Sequence, residues 1–257
     1  MTKFPYTRKR RRYLLPIIIV CTIFIWILKP FNNHVDLNNN CYYIAHAAGA
    51  IDGHTYTNSK EALLQSISRQ YQYIEFDLRM TKDSILVCSH DPIEAMSSQQ
   101  FLSRKINGHY TPLMLSEVLE IKKNKPFSLV TDITDNPNIL NKYFLNNRKN
   151  VSVEAFSWQR WAALDEQGYT AMMNMNNKSL FHYLYYCIRC KRIIKWITAS
   201  SDSYDDILRL RILKRLFGVK VAFFLLDKQA SDFKNHIGQE IDLIYIDDKS
   251  ELQSKKH

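Results

Sequence analysis

Tyr73-Ile74-Glu75-Phe76-Asp77-Leu78-Arg79-Met80-Thr81-Lys82-Asp83-Ser84-Ile85-Leu86-Val87-Cys88-Ser89-His90-Asp91 is the stretch on which the fold turns. Ile74, Phe76 and Leu78 alternate with Glu75, Asp77 and Arg79, the period of a strand with one apolar and one charged face. Thr81 to Ser84 has the composition of a turn, and Ile85 to Val87 reads as a second short strand. Folded back as an antiparallel hairpin, the two runs pair Met80 with Ile85, Leu78 with Val87 and Glu75 with His90. Three charged side chains on one strand face are costly to bury alone, so this face is expected to meet water, a cation or a ligand.

Working outward, Tyr42 to Ala45 is an apolar strand whose end delivers His46. Gly49 and Gly53 bracket a loop. Asn58 or Ser59 caps a helix with Leu63, Ile67 and Tyr71 on its buried stripe. Pro92 to Pro112 is polar and reads as an insertion, followed by a helix from Leu113 to Lys122 and a strand from Phe127 delivering Thr131-Asp132. Further strands are expected at Val151–Ala155, Thr170–Met173, Ile193–Thr198, Val219–Leu225 and Ile241–Ile246. Helices are expected at Trp158–Glu166, Leu180–Arg192, Tyr204–Leu216 and Lys228–His236. Eight strands alternating with helices is the arithmetic of an α/β fold, the TIM (β/α)8 barrel, with a β-hairpin and a small insertion over its C-terminal face.

The formal charge of +10 suggests nucleic acid at first sight, but residues 1–29 hold seven of the 35 Lys and Arg and no acid. The remainder carries 28 basic against 25 acidic residues, and no nucleic-acid surface is expected. Arg8 to Arg12 precede an apolar run from Leu14 to Leu28, somewhat shorter than the roughly 20 residues of a standard span but extendable through Tyr13 and Phe31. No small-x-small cleavage site follows. The chain therefore divides into a basic cytoplasmic tail (1–12), a single-pass transmembrane signal anchor (13–31), a tether (32–41), the barrel (42–248) and a polar tail (249–257). The positive-inside rule leaves the N-terminus cytoplasmic and exports the barrel to a periplasmic or extracellular space. Cys187 and Cys190 share a helix face, and no second pair at zinc spacing accompanies them, so buried thiols or a local disulfide are expected.

His46-Ala47-Ala48-Gly49, Asn58-Ser59, Glu75-Phe76-Asp77, Thr81-Lys82-Asp83-Ser84 and Val87-Cys88-Ser89-His90-Asp91 occur in the order and spacing of the glycerophosphodiester phosphodiesterase family, which the sequence resembles. That family lies within the phosphatidylinositol-type phospholipase C-like superfamily. The resemblance implies a barrel over residues 42–248 and a metal-dependent phosphodiester hydrolase. It assigns Glu75, Asp77 and Asp132 as ligands of a divalent cation, Mg²⁺ or Ca²⁺; carboxylate oxygens suit such hard ions. It assigns His46 and His90 as the acid–base pair. Arg79, His54 and Asn58 are candidate substrate contacts, while His109 and Glu154 read equally well as structural. Two family cations are missing: the Arg after the first His is Ala47, and the Lys two residues past the third acid is Thr134. Arg79 shares the strand face of Glu75 and Asp77 and is the expected replacement. The substrate implied is a glycerophosphodiester, a lipid headgroup or a glycerol-phosphate surface polymer, with no obligate protein partner. A lyase stopping at a cyclic phosphate, as in sphingomyelinase D-like toxins, and a catalytically silent phosphate- or glycan-binding barrel are the alternatives.

Overall fold

A computed structural model describes residues 7–31, 42–133, 137–144, 147–200, 205–224 and 234–248. The strands are β1 (Tyr43–Ala45), β2 (Tyr73–Met80), β3 (Leu86–Cys88), β4 (Leu113–Met114), β5 (Ser128–Ile133), β6 (Val151–Ala155), β7 (Thr170–Asn174), β8 (Trp196–Ser200), β9 (Lys220–Phe224) and β10 (Leu243–Ile246). The helices are α1 (Thr7–Leu28), α2 (Lys60–Ser68), α3 (Ser98–Ser103), α4 (Leu115–Asn124), α5 (Trp158–Glu166), α6 (Leu180–Cys190) and α7 (Asp205–Phe217). Eight parallel strands run β1-β10-β9-β8-β7-β6-β5-β2, and a β1–β2 pairing closes the ring. β3 and β4 extend from β2 as antiparallel strands.

Strand register fixes what lies inside. Ile44, Val130, Met172, Ala222, Leu243 and Tyr245 fill the barrel, while Leu63, Trp161, Tyr183, Leu210 and Leu213 pack helices onto its outside. Above the inner layer, Asp77 pairs with Asp132 and Asp132 with Glu154. Partners in parallel register point to the same side, so three acids from neighbouring strands form one arc at the C-terminal ends.

The hairpin is displaced by one residue from its expected register. Met80 pairs with Leu86, Arg79 with Val87 and Leu78 with Cys88. The turn consumes Ile85: the Thr81 N–H donates to the Ile85 carbonyl (2.9 Å), and the Ile85 N–H donates to Thr81 Oγ1 (3.1 Å). The Lys82 N–H goes to the Met96 carbonyl, tying the turn to the insertion (2.8 Å). A one-residue slip exchanges the faces of a strand, so Glu75 does not pair with His90. The insertion is less polar than its composition suggests, because Ile93 and Phe101 are buried with Val87.

Other differences are local. Two residues of the expected Leu113–Lys122 helix pair with β3 before α4 begins. The strand expected over Ile193–Thr198 lies at Trp196–Ser200. Of the expected helix Lys228–His236, residues 228–233 lie outside the described residues and Lys234–His236 is one 3-10 turn. Cys187 and Cys190 are free thiols. At the N-terminus, α1 leans on α7: Arg211 Nη1 donates to the Leu28 carbonyl (2.6 Å), and the Arg215 guanidinium lies over the rings of Trp26 (5.0 Å) and Phe31 (4.5 Å). Among the described residues no helix is long and apolar enough to cross a membrane, which leaves the expected span unsupported.

Candidate active site

The site begins where β1 ends. His46 opens a tight bend in which Ala47 (φ 46°), Ala48 (φ 70°) and Gly49 (φ 91°) follow with positive φ. A Cβ at Gly49 would lie 2.5 Å from Ser66 Oγ, and that hydroxyl donates to the Ala48 carbonyl (2.6 Å). Glycine is therefore required by space as well as by backbone. The bend turns the Ala47 N–H onto Glu75 Oε2 (2.7 Å) and presents the His46 ring to the barrel mouth. His46 Nδ1 pairs with Asp247 Oδ1 (3.0 Å), at the end of β10. With Nδ1–H given to that carboxylate, Nε2 carries the ring lone pair.

Glu75 and Asp77 come from β2 and Asp132 from β5. One carboxylate oxygen of each lies within 4.8 Å of the other two. Asn58 holds Asp77 at both ends: its Nδ2 donates to Asp77 Oδ2 (2.7 Å), and its Oδ1 accepts the Asp77 N–H (3.1 Å). Burial, then the Asp77 and Asp132 charges, push the Glu75 carboxyl well above its ordinary range. Burial, then Asp77 and Glu154, push Asp132 up to about 7, against a smaller opposing pull from Arg79. Asp132 Oδ1 is buried with no hydrogen-bond partner. Three crowded carboxylates with an orphaned oxygen fit a divalent cation, whose charge removes the repulsion that burial creates.

These groups line a cavity of about 260 Å³, together with Tyr56, Glu154, Phe156, Asn174, Phe224 and Tyr245. Glu154 is buried at its edge, accepts from Asn174 Nδ2 (2.7 Å) and Thr198 Oγ1, and is pushed up chiefly by burial. No Lys or Arg is among the described lining residues.

The structure thus brings together His46, Glu75, Asp77 and Asp132. His90 is outside the cavity lining, and the Tyr56 ring touches both imidazoles, 4.7 Å from His46 and 5.1 Å from His90. Asn58 is fully buried, with its side-chain amide bonded to Asp77. His54 meets His109 (6.1 Å) and Tyr110 (5.8 Å) edge-on, outside the cavity lining. Arg79 reaches the carbonyls of Leu78 and His90 (3.4 Å each) and lies near enough to Asp132 to lower its pKa, but does not line the cavity. Thr134 lies outside the described residues. Sequence reasoning gave Asp247 no role, whereas Tyr56 was read with His54 as a loop residue within reach of substrate. The signal for Asp247 was its place after the last strand, where barrels carry functional groups.

Fold and site together describe a TIM barrel with a carboxylate cluster and a histidine at its mouth. Residues 49–167 match the model of the glycerophosphoryl diester phosphodiesterase family. Solved structures share the fold: a glycerophosphodiester phosphodiesterase from Thermotoga maritima (16% identity, TM-score 0.64, covering 88% of this chain and 100% of that one) and a glycerophosphoryl diester phosphodiesterase from Parabacteroides distasonis (18%, 0.63, 88% and 91%). A phosphodiesterase from Oleispira antarctica, in complex with the product sn-glycerol-3-phosphate, also superposes (13%, 0.64, 82% and 95%). No curated protein sequence matches the chain. The family model thus covers the stretch that holds most of the motifs carrying the resemblance, from Gly49 through His90 to Asp132.

Proposed function

We propose that the protein hydrolyses a glycerophosphodiester, a lipid headgroup diester or a glycerol-phosphate unit of a surface polymer, with a divalent cation and the pair His46 and His90. The observation that carries this reading is the carboxylate arc beside His46: buried acids with raised pKa are destabilising unless a ligand offsets them. Glu75, Asp77 and Asp132 hold the Mg²⁺ or Ca²⁺, which when bound supplies charge stabilisation to the phosphoryl oxygens. His46 Nε2, with Nδ1 held by Asp247, takes the proton of a hydroxyl adjacent to the phosphate. His90 supplies a proton to the leaving alcohol. Phosphorus NMR of the protein with several glycerophosphodiesters and either cation tests this: a phosphomonoester product supports hydrolysis, and a persistent cyclic phosphate moves the reading to a lyase.

The absence of Lys and Arg from the described lining favours a second reading, a silent phosphate- or glycan-binding barrel. Binding of a phosphodiester without turnover under either metal would establish it.

The basic block and apolar α1 are proposed to anchor the barrel in a membrane with the N-terminus cytoplasmic and the barrel exported. Retention in alkali-washed membranes and digestion of the barrel by protease added outside the cytoplasm are the expected results.

A further inference from the structure

α6 is built with two apolar faces, and the barrel uses one. Tyr183 is fully buried, and Leu184 and Cys187 pack against the core on the inward side. On the outward side Phe181 (80% exposed), Tyr185 (50%) and Ile188 (73%) follow at i, i+4 and i+7, one stripe along the helix, and Ile193 (50%) continues it past the C-terminus. A helix face turned to water is ordinarily polar, and a contiguous apolar stripe on it marks a surface with a partner. The stripe ends among exposed cations: Arg189, Lys191, Arg192 and Lys195.

We propose that this outward face of α6 docks on an anionic lipid bilayer, so that the barrel lies against the membrane rather than hanging free from its tether. The inference rests on the membrane-anchored reading given above. Two observations select lipid over protein. The first is charge: Arg189, Lys191 and Lys195 border the apolar stripe, Arg192 being paired with Asp165, and such cations suit anionic headgroups above acyl chains, whereas a two-fold pairing of identical stripes would bring like charges together. The second is position. Nine large apolar side chains of α1 between Leu15 and Trp26 are each about half exposed or more, so α1 too presents apolar surface that no part of the barrel covers. The C-terminal end of α1 is fixed to α7 by Arg211 and Arg215. α7 follows α6 around the barrel, and Arg209 of α7 donates to the Lys178 carbonyl just before α6. The two uncovered apolar surfaces therefore occupy neighbouring sectors of one side.

The test uses the full chain reconstituted in phosphatidylcholine vesicles, with or without phosphatidylglycerol, some carrying brominated acyl chains. An Ile188→Trp variant places a reporter on the stripe at an exposed helix position, and Trp26 reports on α1. The added emission should be blue-shifted and lose most of its intensity to brominated lipid when phosphatidylglycerol is present, and a Lys191→Glu/Lys195→Glu background should restore it. Quenching of Trp26 while the indole introduced at position 188 keeps the emission of a water-exposed ring overturns the docking surface and leaves the anchor standing. Quenching of neither overturns both. Protection of the added indole without vesicles, with a doubled mass by light scattering, assigns the face to a second copy and overturns the lipid proposal.

Discussion

At the N-terminal end of the barrel, Glu240 is buried against Arg211 Nε (2.7 Å) and His236 Nδ1 (2.9 Å). At the C-terminal end, Glu75, Asp77 and Asp132 are buried against one another. Burial raises the pKa in both places, but at Glu240 the hydrogen bonds from His236 and Arg211 outweigh it and hold the carboxyl below its ordinary range. At Glu75 and Asp132 the neighbouring charges add to burial, and the carboxyls rise. The same residue types at similar depth thus serve two ends: one group brings its own cations and ties α7 to the β10 approach, and the other is left short of positive charge. A site that is complete without a ligand is structural, and a site that is incomplete without one is where binding energy can be gained.

Four measurements test this contrast. The largest effect is expected at His46. His46→Ala should lower turnover by about 10²–10⁴-fold with little change in melting temperature, since general acid–base groups contribute on that order. Asp247→Asn should lower the rate less and shift the pH profile, because it changes what holds the ring rather than the ring itself. Unchanged turnover in His46→Ala would remove this imidazole from the mechanism. Next, Glu240→Ala leaves Arg211 buried without its carboxylate and should destabilise the fold by about 3–5 kcal/mol in chemical denaturation. Site integrity, read by metal binding in the folded protein, should survive; loss of metal affinity in step with stability would show that the two ends are not independent.

The third concerns cation binding. At a concentration 100 times its Kd, a bound ion stabilises by about 2.7 kcal/mol. Chelator should remove that increment from the unmodified protein and nothing from Asp77→Asn. Equal chelator responses in the two proteins would exclude the carboxylate arc as the site.

The fourth is a pH slope. Asp132 has an ordinary pKa of 3.8 and about 7 in the folded chain. A carboxyl whose folded pKa is raised keeps its proton when the unfolded chain has lost it, so stability falls as pH rises between those values and levels off above the upper one. In chelator, the melting temperature should decline across this window. Glu240, shifted the other way, loses its contribution only as pH falls through the acid range. A melting temperature that rises between about pH 5 and 7 in the metal-free protein would contradict the raised carboxyls.

By itself the sequence determined the elements and the chemistry at their ends. The alternation in Ile74 to Arg79, the apolar run before His46 and the spacing of later strands sufficed for the barrel and for Glu75, Asp77 and Asp132 at its mouth, because side-chain period and strand termini are local properties. Tertiary structure decided how those groups are held. The one-residue shift of β3 depends on Thr81 capturing Ile85 and Lys82 bonding to Met96 in the insertion. The pairing of His46 with Asp247 joins residues 201 positions apart and exists only once β10 closes on β1. Asn58 looked like a helix cap or a substrate contact, but its positive φ of 49° turns it onto Asp77, while Ser59 takes the cap. Tyr56, also at positive φ (56°), brings its ring against both His46 and His90. Local pattern encodes which face a residue occupies; which partner it meets there depends on chain closure and on loop backbone conformations that no periodicity specifies.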